Sequence, residues 1–492
     1  MKFTPLRNLS KYNLLQSKIN YKNPLIMKKL VLFILSLGFL QIQAQAPAIE
    51  WQNAIGGSGS DQLQSINQTS DGGYILGGYS SSGISVDKTE ASQGNEDYWV
   101  IKLNSLGVIE WQNTIGGSST DQLQSINQTS DGGYILGGLS FSGLSGDKTE
   151  ASQGGGDYWV VKLNSLGVIE WQNTIGGSNN DRLESINQTS DGGYILGGYS
   201  DSGISGDKTE ASQGGGDYWV VKLNSLGVIE WQNTIGGSNR EQLFSINQTS
   251  DGGYILGGHS LSGISGDVTE ASMPLTTESY WVVKLNSLGV IEWQNAIGGS
   301  NLDYLRSINQ TGDGGYILGG YSKSGIIGDK TEASQGTFDY WVVKLTSLGA
   351  IEWQNTIGGS GIDQLYSVNQ TSDGGYILGG YSSSGLSGDK TEASQGVEDY
   401  WVVKLNSLGV IEWENTIGGS SRDYLRSINQ TSDGGYILGG YSSSGLSGDK
   451  TEATQGSFDY WVVKLAAPTI WTGTTSTAWN VGTNWSTGTV PL

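Results

Sequence analysis

The chain has 492 residues, 78 of them Gly and only six Pro, and its 26 Lys and Arg stand against 47 acidic residues for a formal charge of −21. That charge repels a phosphate backbone and excludes nucleic acid as an expected partner. The absence of Cys excludes a disulfide framework, a thiolate metal site and a thiol nucleophile.

In chain order, residues 1–26 are basic and polar without periodicity and are expected to be a non-native N-terminal extension. Residues 27–46, MKKLVLFILSLGFLQIQAQA, join two lysines to an apolar run from Leu30 to Leu40, with small residues at Ala44 and Ala46. This is the pattern of a signal peptide, and the run is too short to span a bilayer permanently. The protein is therefore expected to be secreted or at the cell surface, and its formal charge without the leader is about −28.

From residue 47 to 465 one text recurs seven times, with copies opening at Asp71, Asp131, Asp191, Asp251, Asp313, Asp373 and Asp433. A fixed period of this size marks a repeat architecture. The second copy shows four strand-like segments, Val108 to Ile115 (VIEWQNTI), Gln124 to Thr129 (QSINQT), Tyr134 to Ser140 (YILGGLS) and Tyr158 to Leu163 (YWVVKL), each rich in β-branched or aromatic residues. Asp-Gly-Gly supplies the positive φ of a hairpin turn, and the Gly-Gly pair lets a neighbouring backbone or ring approach closely. Connections read as long, short, long, short.

Four strands in each of seven units predict an all-β fold, a seven-bladed β-propeller of four-stranded antiparallel blades. Trp51, Trp111, Trp171, Trp231, Trp293, Trp353 and Trp413 mark the IEW strand of each copy, yet the first precedes the first hairpin and none follows Leu465. Ile49 to Ile55 is therefore predicted to be the outer strand of the seventh blade, closing the ring. Residues 466–492, with Trp471, Trp479 and Trp485 in a Thr/Gly-rich setting, read as the start of a truncated β module or a linker.

The order of inner strand, turn, Gly-Gly strand, long loop, Tyr strand and Trp strand resembles kelch-type propellers, although Tyr98 to Trp111 exceeds the kelch Tyr–Trp spacing. More closely, DGGYILGG and DYWVVKL resemble the 60-residue surface repeats of bacterial proteins exported by the type IX secretion route. That resemblance covers residues 49 to 465 and implies a location more than an activity.

Strand parity puts both long loops on one face, and the copies differ mainly there. One slot holds Ser81, Phe141, Asp201, Leu261, Lys323, Ser383 and Ser443. Another, read as lying before the inner strand, holds Gln64, Gln124, Glu184, Phe244, Arg306, Tyr366 and Arg426. The fourth unit inserts Met273 to Glu278. Near-identical copies that vary on one face point to a recognition surface with Phe141, Asp201, Phe244, His259, Arg306, Lys323, Tyr366 and Arg426 as its ligand-binding residues. Loop drift with nothing packed on it is the plain alternative.

His259, the only histidine, stands where other units carry Tyr and reads as an aromatic substitute. In GDKTEASQG, Asp147, Glu150 and Gly154 fit a short helical turn with a capping box and a Gly stop. A calcium site built from those carboxylates is the rival, but the alternating oxygen ligands of a calcium loop are missing, so neither metal nor cofactor is expected. The two Trp of each unit read as blade-to-blade packing and the Asn67 to Thr69 sequon as strand-end polar text. Seven equivalent sets of carboxylates do not single out an acid and a base, so an enzyme is not expected. The expected function is an exported binding or adhesion module that recognises glycans through its loop face, with a polysaccharide or surface glycoprotein as partner and a monomeric ring as its form. The alternatives are a carbohydrate-active hydrolase or lyase, and a structural spacer in a larger surface protein.

Overall fold

Each repeat folds as a four-stranded meander: the tight connections permit only antiparallel neighbours, and the long loop also returns the chain antiparallel. A computed structural model of the protein describes residues 45–270 and 277–467. The expected N-terminal extension, nearly all of the signal segment, the C-terminal module and residues 271–276 of the fourth unit's insertion lie outside the described residues. In the first unit β2 (Asp61–Gln68), β3 (Tyr74–Ser80), β4 (Asp97–Leu103) and β5 (Ile109–Ile115) hydrogen bond in that order. Six such sheets and a seventh of mixed origin form a seven-bladed β-propeller, with the β2 equivalents side by side around the axis. No helix among the described residues is long and apolar enough to cross a membrane.

The seventh blade is closed as predicted. β1 (Ile49–Ile55) is its outer strand, pairing Ile49 with Leu465 and Ile55 with Tyr460, and the Ala466 amide donates to the Ala48 carbonyl at 2.9 Å.

At the hairpin between β2 and β3, Gly72 has φ 83°, the left-handed conformation the turn requires. Asp71 accepts from Thr69 Oγ1 at 2.5 Å and from the Gly73 amide at 2.9 Å. Its other oxygen meets Lys102 at 2.9 Å, and this buried amine also reaches Glu110 at 3.0 Å. One Asp-Lys-Glu clip thus fastens the text of three strands at the tight-turn end of each blade. Burial would raise the Asp71 carboxyl, but bonds from Thr69, Lys102 and Gly73 outweigh it and bring it down to about 2.

The Gly-Gly pair leaves room for both neighbouring blades. A methyl group on Gly77 would sit 2.7 Å from Ile126 and Leu123 of the next unit, and one on Gly78 would sit 2.0 Å from the Gln62 carbonyl and 2.7 Å from Tyr460 Oη. The core lies between blades, where Trp99 packs on Tyr460 at 4.8 Å and Trp111 meets Tyr134 edge-on at 5.7 Å. The repeated Trp are therefore packing residues, and truncating one such as Trp99 to Ala costs about 3–5 kcal/mol.

Two local expectations are corrected. The connection 56–60 spans no more chain than the tight turns, so residues 81–96 form the one extended loop of the first unit. No helical turn forms over Asp147–Gly154, because its carboxylates are engaged at a distance. Asp147 accepts from the Gly116 amide at 3.1 Å and from Gln93 Nε2 at 2.6 Å, and Glu150 accepts from the Thr174 amide at 2.8 Å.

Two outcomes follow for stability. Deleting residues 49–55 exposes the edge of Asp459–Leu465, so the shortened chain is expected to melt earlier and to aggregate; unchanged melting and a single monodisperse peak in size-exclusion chromatography would contradict the closure. Val86 holds φ 51° where the other units place Gly at φ 56° to 68°. Val86→Gly is expected to stabilise the fold by about 1 kcal/mol, read from denaturant midpoints, through relief of left-handed strain.

Candidate functional site: an axial cavity

Leu63 and Ile66 pack in the same cluster between blades although they stand three residues apart, and Gln64 between them lines the axial side of β2. The register with β3 skips between Leu63 and Ser65, so Gln64 is the extra residue of a β-bulge. The same skip recurs in every blade and makes Gln124, Glu184, Phe244, Arg306, Tyr366 and Arg426 bulge residues too. A bulge residue has no partner across the ladder and can be re-aimed or exchanged at little cost to pairing. The second variable slot therefore lies inside the inner strands. Phe244, Arg306, Tyr366 and Arg426 face the axis rather than the loop face, where the sequence placed them.

These side chains line a cavity of about 440 Å³ together with Tyr79, Arg182, Tyr199, Arg240 and Gln242. Over four consecutive blades rings and cations alternate. The Arg306 guanidinium lies 4.1 Å from the Phe244 centroid and 5.5 Å from that of Tyr366, and the Arg426 guanidinium lies 4.2 Å from the Tyr366 ring. Arg306 Nη2 donates to Tyr321 Oη at 2.7 Å, and Arg426 Nη2 donates to Tyr441 Oη at 2.6 Å. Both Nε atoms are buried without a hydrogen-bond partner. Burial would raise the Tyr366 phenol, but Arg426 and Arg306 outweigh it and pull its pKa down. Across the cavity Arg182 Nε donates to Glu184 at 2.6 Å, and burial pushes the Glu184 carboxyl up against the pull of Arg182. Among the described residues Glu184 is the one carboxylate of the lining.

His259 is buried behind this wall, with Nε2 3.2 Å from Gln242 Oε1 and its ring stacked on Phe244 at 5.3 Å. Burial first, and then Arg306 and Arg240, hold its pKa well below the ordinary value, so it serves as a neutral aromatic ring. Phe141, Asp201 and Lys323 do lie exposed at the start of the long loops, outside the cavity lining. Arg182 and Arg240 escaped sequence reading. Residue 182 belongs to the series Gln62, Gln122, Arg182, Gln242, Tyr304, Gln364, Tyr424, whose variation two residues from the bulge slot marks the same strand face.

Under the loops runs a belt of buried carboxylates. Asp61 accepts from the Gly57 amide at 2.7 Å and from Ser82 Oγ at 3.0 Å, and Asp97 accepts from the Gln93 and Gly94 amides. Lys88 interacts electrostatically with both aspartates, donates to Thr114 Oγ1 at 2.6 Å and lies 5.0 Å over the Trp99 ring. Burial, reinforced by the next unit's Asp121, pushes the Asp97 carboxyl up to about 6, and burial with Asp181 takes Asp157 to about 7. The fourth unit replaces this lysine with Val268 and this aspartate with Ser279, so both signs of buried charge leave together. Among the described residues no group of three or more His, Cys, Asp or Glu gathers in a way that could hold a metal ion.

The belt sets a pH dependence. Asp97, Asp157, Asp217, Asp339, Asp399 and Asp459 stand at about 6 to about 7 in the fold against an ordinary 3.8. As pH falls through about 7 towards 4 the folded chain binds more protons than the unfolded one, so stability rises across that window. Asp71 and its equivalents are shifted the other way, so their contribution is present above 3.8 and lost as pH falls through about 2. Thermal melts from pH 8 to pH 3 are expected to peak at about pH 4–5; a maximum above pH 7 would contradict the burial of these carboxyls.

No family model and no curated protein matches the chain. Solved structures with a similar course include BamB from Moraxella catarrhalis, at 13% identity and TM-score 0.37 over 85% of this chain and 88% of that one. The Pan2 WD40 domain of Neurospora crassa is similar at 11% identity and TM-score 0.43 over 83% and 89%. Hydrazine synthase of Kuenenia stuttgartiensis is similar at 9% identity and TM-score 0.45 over 82% and 96%. The class is defined by this chain's own sheets, a closed seven-bladed β-propeller of near-identical blades. Its asymmetric feature is the axial cavity.

Proposed function

We propose that the protein is an exported binding module, displayed at the cell surface or released from it, that takes a glycan ligand in the axial cavity and does not turn it over. The observation that carries this reading is the convergence of variation. Seven units that keep almost the same strand text differ at their bulge residues, and those residues line one cavity of about 440 Å³, a size suited to a small ligand. Amides, phenols and guanidinium groups around one space match a hydroxylated ligand. Glycoside hydrolysis ordinarily needs two carboxylates flanking the bond, and the lining offers Glu184 alone, already bonded to Arg182. Export is supported by the signal-like residues 27–46, and the likeness of DGGYILGG and DYWVVKL to type IX surface repeats supports a surface location.

A glycan array probed with the full chain tests the proposal. Binding without release of shortened products is expected. Replacing Phe244, Arg306, Tyr366 and Arg426 together with Ala is expected to lower affinity at least about tenfold, because stacked aromatic and Arg groups carry most of such binding energy. Ser130→Ala/Ser190→Ala/Ser372→Ala on the exposed tight-turn face serves as the control and is expected to bind as the native ring does. Loss of ligand in the control with retention in the cavity variant would move the site from the cavity to the tight-turn face.

A further inference from the structure

The cavity is electropositive inside an acidic protein. Its lining carries Arg182, Arg240, Arg306 and Arg426 against Glu184, in a chain whose formal charge is −21. Arg182 is spent on Glu184. Among the described residues no carboxylate lies within ion-pair distance of Arg306 or Arg426, and their hydrogen-bond partners are tyrosine hydroxyls, Tyr321 for Arg306 and Tyr441 with Tyr366 for Arg426. A guanidinium cannot shed its proton to escape burial, and a desolvated cation without a counter-charge is costly. Aromatic rings cover their faces, so what each offers is its edge, a planar fork of N–H donors suited to a carboxylate or a sulfate. Elsewhere in the lining, Gln64 and Gln124 of the first two blades offer amides suited to hydroxyl groups.

Resting on the assignment of this cavity as the binding site, we propose that its ligand is an anionic saccharide, whose acidic group sits at the edges of Arg306 and Arg426 and whose hydroxylated body faces the glutamines. The acidic group supplies a counter-charge at ion-pair distance, where among the described residues Glu184 acts on these two arginines only from farther off. Arg240, exposed at the rim, adds a third positive charge along the way in.

Titration calorimetry on the full chain with digalacturonate, a heparin-derived disaccharide and neutral galactobiose tests this. At least one acidic probe is expected to bind about tenfold or more tighter than galactobiose, with affinity falling as salt rises from about 0.05 to about 0.5 M. Arg306→Gln/Arg426→Gln is expected to erase that preference, so that the variant binds the acidic probes no tighter than galactobiose. A preference for the heparin-derived probe supports the proposal and assigns the anion as sulfate, and a preference for digalacturonate assigns it as carboxylate. Equal affinity for neutral and acidic probes, no salt dependence in the native chain, or no acidic probe bound at millimolar concentration overturns it. The cavity reading is tested separately by Gln64→Trp/Gln124→Trp, which fills the space: if binding is lost in this variant the site stands, and a missing acidic preference in the native chain then overturns the anionic class alone. If every probe binds this filled variant as it binds the native ring, the site assignment itself fails.

Discussion

A side-chain amide reaching into the next blade is the contact on which the ring depends. Asn67 Nδ2 donates to the Ile126 carbonyl at 2.7 Å, the bond is repeated around the axis, and Asn429 completes the circle on Ile66 at 2.7 Å. Two further circles run parallel to it. Tyr98 Oη donates to the Trp159 carbonyl at 3.0 Å, with Tyr460 returning to Trp99, and the Ser70 amide donates to Gln128 Oε1 at 2.8 Å, with Ser432 returning to Gln68. One such bond is worth only about 1 kcal/mol net. Each takes its donor from one unit and its acceptor from the next, so every unit must present both in the same register.

That requirement explains which text repeats and which does not. Each strand that faces neighbouring blades is fixed twice, once by each neighbour through alternate residues, as Gly77 and Gly78 show with one blade on either side. The bulge residue is fixed by neither. It has no partner in the ladder and points to the axis, so the scaffold tolerates Gln, Glu, Phe, Tyr or Arg there without loss of pairing. Symmetry is broken where the architecture is least constrained, and that place is the cavity.

Most of the fold is written locally and was legible. Asp-Gly-Gly turns, four strand segments per unit, and a surplus IEW strand at the front give the blade count and the closure by β1. The bulge was not legible, since Leu63-Gln64-Ser65 carries neither Gly nor Pro to announce it. Starting the inner strand at its fourth residue placed Arg306 and Arg426 on a loop. The loop carboxylates were misread for a different reason: the partners of Asp147 and Glu150 lie 24 to 54 residues away, and a local capping pattern holds no information about them. The positive charge of the cavity was hidden because its arginines come from separate units and meet only when the circle is complete.

Closure by β1 also orders events in time. Trp461 Nε1 donates to Gln52 Oε1 across 409 residues of sequence, whereas the strands of the other blades meet within one unit. As the chain is synthesised, the first strand to emerge waits for the last, and every intermediate length carries a half-built circle with a lone strand at one end and a bare sheet edge at the other. Blades can form one by one as they appear, but no partial product is sealed. The chain is most vulnerable to pairing with another copy of itself shortly before residue 465 is made, and it gains its protection in a single step.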